Sequence, residues 1–147
     1  MSQKETVVFG LRAALALAEH RPEAILRVLY EQRRCHDIGP LLKAAAEKRK
    51  PYREVEAEDL NKVSSSLHHE GVVVVAEPLP TRPFGRFVKH LPSPSILVAL
   101  DGVANPHNQG AILRSMAWFG GHGLLTTDPR PNVNPAAARV SQGGAEW

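Results

Sequence analysis

The sequence predicts an α/β protein built as two units: a small layered α/β domain, then the first βαβ part of a second domain with a parallel sheet. Three observations carry this. Short β-branched runs alternate, through the first half, with stretches whose apolar residues recur at helical spacing. Five prolines, Pro78, Pro80, Pro83, Pro92 and Pro94, then interrupt all periodicity. Beyond them the pattern is strand, loop, helix and strand again. The expected division is residues 1–77, a linker over 78–95, and residues 96–147.

Within the first unit, Thr6, Val7, Val8 and Phe9 form a β-branched run that Gly10 ends. Leu11, Ala14, Leu15 and Ala18 then share one helical face, and His20-Arg21-Pro22 stops that helix. Residues 24–30 read as a strand, with Ile25, Leu26, Val28 and Leu29 supplying apolar area. Asp37 is placed to cap a helix over residues 41–47. A short strand over 52–56 and a helix over 58–67 follow. The run Val72, Val73, Val74 and Val75 marks a strand covered on both faces.

The linker carries Arg82, Arg86 and Lys89 between its prolines. Proline removes donors and disfavours helix before it, so an extended segment is expected. The second unit opens with an apolar strand over 95–100 that ends at Asp101. Residues 102–107 are the loop and Asn108 the expected helix cap. Ile112, Leu113, Met116 and Phe119 form the face expected to be buried, and Gly120-Gly121 ends the helix. A strand over 124–127 follows, then Asn134 as a cap, Pro135 in the first helical position and a helix over 136–139. Two strands cannot bury their own faces, so this unit reads as incomplete, or as finished by another chain.

Composition narrows the class. Across 147 residues, 43% are hydrophobic and 22% charged, a globular mixture. The net charge is +3, and residues 1–90 hold 15 of the 18 Lys and Arg against 12 of the 15 acids, so they carry the whole excess. That balance permits a nucleic-acid partner without demanding one. Cys35 is the only cysteine, which excludes an internal disulfide and a Cys-rich zinc site, and it reads as a small, partly buried apolar residue. The start, Met1-Ser2-Gln3-Lys4-Glu5, lacks the apolar core of a signal peptide. The apolar runs over 13–18 and 71–76 are too short for a bilayer. A cytoplasmic protein without a membrane partner is the expectation.

The stretch richest in chemistry runs from Asp101 to Arg114. In open α/β sheets ligands sit beyond the carboxyl ends of strands, where loops meet helix N-termini, and this loop lies there. Free N–H groups at the helix start would attract an anionic oxygen. Gly110 lets another backbone approach, and Arg114, four residues on, projects from the same face. A phosphate or ribose over Gly110 would meet a fork-shaped, permanently charged donor. The same residues also fit ordinary turn and capping chemistry. The chain has neither Gly-x-Gly-x-x-Gly nor Gly-x-x-x-x-Gly-Lys, so dinucleotide and triphosphate loops are unsupported.

The stretch resembles the first motif of SpoU-type methyltransferases of the SPOUT superfamily, on Asp101, Val103, Pro106, Asn108, Gly110, Ile112 and Arg114, with Phe119-Gly120 as its continuation. Val140-Ser141 to Glu146 resembles the family's Ser-x-Gly-Ala segment. Val8-Phe9-Gly10-Leu11 resembles the opening of its substrate-binding domain, and His69-Glu70-Gly71-Val72 the closing His-Gln-Gly turn, with Glu70 in place of glutamine. Met116 stands where a small residue is usual. The resemblance covers nearly the whole chain. It implies an RNA-binding domain followed by a knotted α/β domain that methylates a ribose 2′-hydroxyl in rRNA or tRNA, with S-adenosylmethionine as donor. It assigns Asn108 and Arg114 to the catalytic site and Gly110 to the RNA-facing surface. The second and third motifs, which form the knot and the donor pocket, have no counterpart before Trp147, so no donor-binding residue is assigned. The chain is therefore expected to be inactive alone. A homodimer, as in knotted members, is left open.

Lys48, Arg49, Lys50, Tyr52 and Arg53 form the densest basic cluster, able to meet RNA phosphates while Tyr52 stacks on a base, or to serve as a solvated helix end. His68-His69 reads as a structural turn rather than a metal site. Two alternatives to the enzyme remain: an RNA-binding module without catalysis, and an unrelated small α/β enzyme using Asp101 and His107.

Overall fold

The structure is a computed structural model that describes residues 5–127 and 133–147. Residues 1–4, part of the start read above as leaderless, lie outside it. The first unit is a four-stranded sheet with helices on both faces. Strand β1 (Thr6–Phe9) leads through Gly10 into helix α1 (Leu11–His20). Strand β2 (Ile25–Tyr30), helix α2 (Gly39–Glu47), strand β3 (Tyr52–Glu54), helix α3 (Ala57–Ser64) and strand β4 (Val72–Ala76) follow. The sheet order is β1-β4-β2-β3; β4 runs antiparallel to both neighbours, while β2 and β3 are parallel.

The valine strand occupies the centre, and all of β4 is buried. Val72, Val74 and Ala76 join Leu17, Ile25, Val28, Ile38 and Leu41 under α1 and α2. Val73 packs with Phe9 and Leu60 under α3. A side chain of this size contributes about 1.5–3 kcal/mol when fully buried, so a strand buried on both faces anchors the unit. Cys35 is half-buried against the α1–α2 cluster, as a small apolar residue would be.

Three local expectations are corrected. Asp37 does not cap α2; its carboxylate pairs with Arg34 at 2.8 Å, and Ile38 stands at the cap position without a side-chain bond. The α3 helix ends at Ser64, because Ser65 turns into the left-handed region at φ 52°. The proline segment is not wholly extended: Phe84–Phe87 forms helix α4, continued by a tight turn over Val88–His90. Pro83 precedes that helix, where a missing N–H costs nothing, and no proline falls between 84 and 91. Phe87 lies across Gly123, where a Cβ would come within 2.4 Å of its ring.

In the second unit, β5 (Leu97–Leu100) and β6 (Gly123–Thr126) pair in parallel across helix α5 (Pro106–Trp118), and helix α6 (Pro135–Val140) follows. Asn134 caps α6 by accepting from the Ala136 N–H at 2.8 Å, with Pro135 at the first position. Leu113 is buried, but Phe119 is 75% exposed and Trp118 84%. The expectation of a buried Phe119 fails because no layer of the described residues covers that end of α5. Among the described residues no helix is long and apolar enough to cross a membrane.

Candidate functional site

The loop after β5 is organised by Asn105. Its Oδ1 accepts from the His107 N–H at 2.8 Å and the Asn108 N–H at 3.4 Å, and its carbonyl accepts from the Gln109 N–H. Asn105, not Asn108, is the cap of α5, because Pro106 has no N–H to offer and so takes the first helical position. The Gln109 amide donates to the Val103 carbonyl at 2.6 Å and fastens the loop from beneath. Free N–H groups were expected at this helix start. They are instead met by Asn105.

Gly110 does not face a ligand either. It is buried, and a Cβ there would lie 2.5 Å from the Ala137 carbonyl oxygen and 2.7 Å from Val140 Cβ. The backbone that approaches it is that of α6, so an RNA group seated over Gly110 has no room. Arg114 is exposed and has no acidic partner among the described residues. Asn108 is exposed as well. Six residues separate the two on α5, which sets them about 120° apart around the helix and about 9 Å apart along it. They do not share a face of the helix. Asp101 and His107 are exposed and form no hydrogen bond with each other, so nothing assembles them as a catalytic pair.

The Ser-x-Gly-Ala segment packs behind Arg114. Ser141 is buried, donating from Oγ to the Ala138 carbonyl and accepting from the Ala145 N–H. Gly144 lies so close to α5 that a Cβ would sit 2.9 Å from the Leu113 carbonyl and 3.0 Å from Arg114 Cα.

The basic cluster of the first unit sits where α2 ends. Lys48 is the cap; the Arg49 N–H reaches the Ala46 carbonyl and the Lys50 N–H the Ala45 carbonyl. This is the double bond pattern that closes helices on a left-handed residue, normally glycine. Here Arg49 adopts it, at φ 54°. Lys48 and Arg49 are exposed, Lys50 is half-buried, and Tyr52 and Arg53 stand exposed on edge strand β3. None of the four cations is ion-paired among the described residues. The cluster is thus both a helix end and an open basic surface.

His69 is buried in its turn. Nδ1 accepts from the Gly71 N–H at 3.0 Å, so Nε2 carries the proton and donates to Asn61 Oδ1 at 3.0 Å. Burial lowers its pKa, helped by Arg33 and opposed by Glu31. Among the described residues no three His, Cys, Asp or Glu cluster for a metal.

Residues 7–82 match the family model for RNA 2′-O ribose methyltransferase substrate binding, and residues 95–147 match that of the SpoU rRNA methylase family. The chain belongs to the SpoU family. An uncharacterized tRNA/rRNA methyltransferase of Haemophilus influenzae is 33% identical over 98% of the chain and 41% of its own length. The 23S rRNA (guanosine-2′-O-)-methyltransferase RlmB of Pseudomonas putida is 31% identical over 99% of the chain and 60% of its own length. Among solved structures, an rRNA methyltransferase from Sinorhizobium meliloti superimposes with a TM-score of 0.72 at 19% identity, covering 98% of this chain and 52% of that one. The SpoU methyltransferase AviRb of Streptomyces viridochromogenes, in complex with AdoMet, gives 0.70 at 24% identity, over 97% and 51%. The chain thus spans about half the length of the SpoU proteins it matches, and both units take the SpoU fold.

Proposed function

We propose that this chain is the RNA-gripping portion of a SpoU-type methyltransferase that modifies ribose 2′-hydroxyls of ribosomal or transfer RNA, with S-adenosylmethionine as the donor in the intact enzyme. Arg114 carries the reading: an exposed guanidinium, without an acidic partner among the described residues, on the helix that follows the strand-end loop. Bound in the intact enzyme, S-adenosylmethionine would supply the methyl group, its sulfur–methyl bond giving way to a bond from the ribose 2′-oxygen and leaving a thioether, while the hydroxyl proton would pass to a base other than Arg114. A guanidinium carries five N–H donors and no acceptor, so Arg114 is a poor base. It holds the phosphate beside the reacting ribose and offsets the developing alkoxide charge. Asn108, relieved of capping by Asn105, offers an amide donor and acceptor to a ribose hydroxyl. Lys48, Arg49, Lys50 and Arg53 hold phosphates farther along the RNA, with Tyr52 as a stacking platform.

The described residues do not fit the methyl donor. A groove beside α5, lined by Ile96, Val98, Ile112, Met116 and Phe119, has only Ser115 as a polar side chain, and its hydroxyl is turned onto the Ala111 carbonyl. A cavity of about 400 Å³ between the units is lined by Arg21 and Glu146, which are engaged with each other. The groove offers no free polar side chain, and Arg21 and Glu146 of the cavity are closed on each other, so no step is routed through the donor. That poor fit favours a second reading, an RNA-binding module without catalysis. Calorimetry with S-adenosylmethionine tests the second reading, since micromolar binding by the chain excludes it.

RNA gripping is tested by fluorescence anisotropy with a labelled RNA hairpin over a range of salt. Replacing Lys48, Arg49 and Lys50 by alanine is expected to flatten the log–log salt slope by about 2, from three lost phosphate contacts at roughly 0.7 each. Arg114→Ala is expected to weaken binding, and Arg114→Lys to restore little of it, because the ammonium lacks the fork. An unaltered salt slope sinks the phosphate role of the cluster.

A further inference from the structure

The two units do not merely follow each other along the chain. Arg21, just beyond the end of α1, donates from Nε to Glu146 Oε2 at 2.6 Å and from Nη2 to Glu146 Oε1 at 3.2 Å, a forked pair whose side chains are 15% and 3% exposed. Its Nη1 also reaches the carbonyls of Glu77 and Pro78 at 3.3 Å, where the chain leaves the first unit. At the opposite end of α1, Glu70 accepts from the Leu11 N–H through Oε2 at 2.9 Å and faces Arg139 through Oε1 at 3.6 Å. Between these ends Gly143 lies against the helix, where a Cβ would fall 2.8 Å from Ala16 Cβ. His20 stacks obliquely on Trp147, with ring centroids 4.6 Å apart.

We propose that Arg21 and Glu70 are positioning residues, which register the substrate-binding unit against Arg114 by clasping the 139–146 segment at two points. The segment has two sides. One rests on α1 through the contacts above, and the other rests on α5, with Val140 against Gly110 and Gly144 against Leu113 and Arg114. A path of packed backbone therefore runs from α1 to the backbone of Arg114. One ion pair would be a pivot. Two, at the ends of a ten-residue helix about 15 Å long, remove rotation about either. The charges are also reciprocal: the first unit supplies Arg21 and Glu70, the second Glu146 and Arg139. Reversing the docking would set Arg21 beside Arg139 and Glu70 beside Glu146, so like charges exclude that arrangement.

The consequence for RNA rests on the function proposed above. If one RNA meets the 48–53 cluster and Arg114 together, the second contact forms at an effective concentration set by the geometry between them. Fixed units hold that geometry; loosened units dilute it.

The test uses the full chain with Cys35→Ser and spin labels on cysteines at the exposed positions Ala46, on α2, and Ser115, on α5. The parent is expected to give one narrow distance distribution. Arg21→Glu is expected to broaden it and to weaken binding of a labelled RNA hairpin about tenfold. The swap Arg21→Glu with Glu146→Arg is expected to restore both. Glu70→Gln, which keeps an oxygen for the Leu11 N–H but removes the charge facing Arg139, supplies an independent arm that spares the helix cap. A narrow distribution in both Arg21→Glu and Glu70→Gln overturns the clasp, as does a swap that restores nothing. Broadened distances with unchanged RNA affinity overturn the positioning role while leaving the clasp. A parent chain that binds no hairpin overturns the RNA reading itself, whatever the distances show.

Discussion

Replacing Gly110 by alanine is the sharpest probe of how α5 and α6 are joined. In an exposed helix the change would stabilise by roughly 0.5–1 kcal/mol, because glycine loses more backbone freedom than alanine on folding. Here the new Cβ would lie 2.5 Å from the Ala137 carbonyl oxygen, 2.7 Å from Val140 Cβ and 3.0 Å from Val140 Cγ1. The first of these is backbone within α6, which cannot swing aside as the tip of a side chain would. Relief requires α6 to move, and overpacking of this kind costs about 1–3 kcal/mol. Overpacking exceeds the propensity gain, leaving a net destabilisation of about 1–2 kcal/mol, or roughly 3–6 °C in melting temperature for a chain of this size. Differential scanning calorimetry of Gly110→Ala checks it, with Gly39→Ala as the control, since nothing lies within 4 Å of a Cβ there. A melting temperature equal to or above that of the parent would refute the close packing of α5 on α6, and with it the assignment of Gly110 to that contact rather than to RNA.

Two other perturbations separate stability from function. Arg49→Gly should stabilise the fold by about 0.5–1 kcal/mol, because it relieves a left-handed arginine at a helix end, and should weaken hairpin RNA binding by losing a cation; loss of stability in urea titrations would show that the backbone there is unstrained. His69 makes the protein acid-sensitive. Its folded pKa lies below the ordinary 6.5, so the unfolded chain binds the proton first, and stability that is full above about pH 6.5 is expected to be lost as the pH falls from there through the lower folded pKa. Comparing urea midpoints at neutral and mildly acidic pH for the parent and His69→Gln checks this, and parallel loss in both proteins would exonerate His69.

Much of the fold was legible because its signals are local. Four successive valines can sit in water on neither face, and Val72 to Val75 are indeed buried beneath helices on both. Asn134-Pro135 announced a cap and a first helical residue. The same logic, applied to Asn105-Pro106, would have corrected the capping role assigned to Asn108. Phe119 failed for another reason: helical periodicity tells which residues share a stripe, not whether a second layer covers it. Asp37 and Arg34 show local competition, since an arginine three residues away outbids backbone N–H groups for a carboxylate. The junction between the units was illegible, because Arg21 and Glu146 stand 125 residues apart and nothing in either neighbourhood names the other.

Ion pairing decides which cations remain free on the surface. The acids that hold the net charge to +3 are not spread evenly over the cations. Glu146, Glu70, Asp37, Glu31 and Glu5 are drawn to Arg21, Arg139, Arg34, Arg33 and Arg27, arginines that fasten segments of the fold or lie beside them. Lys43 and Lys62 pair within their own helices. The cations left without acidic partners among the described residues are Arg12, the 48–53 group, Arg82, Arg86 and Lys89 of the connecting segment, and Arg114. Neutralised charges therefore lie largely at structural contacts, and free ones lie in both units and in the chain between them. An RNA strand running from the 48–53 surface to Arg114 would meet unpaired cations in each unit, and screening at a Debye length near 8 Å makes that local arrangement, rather than the net charge, what a phosphate feels.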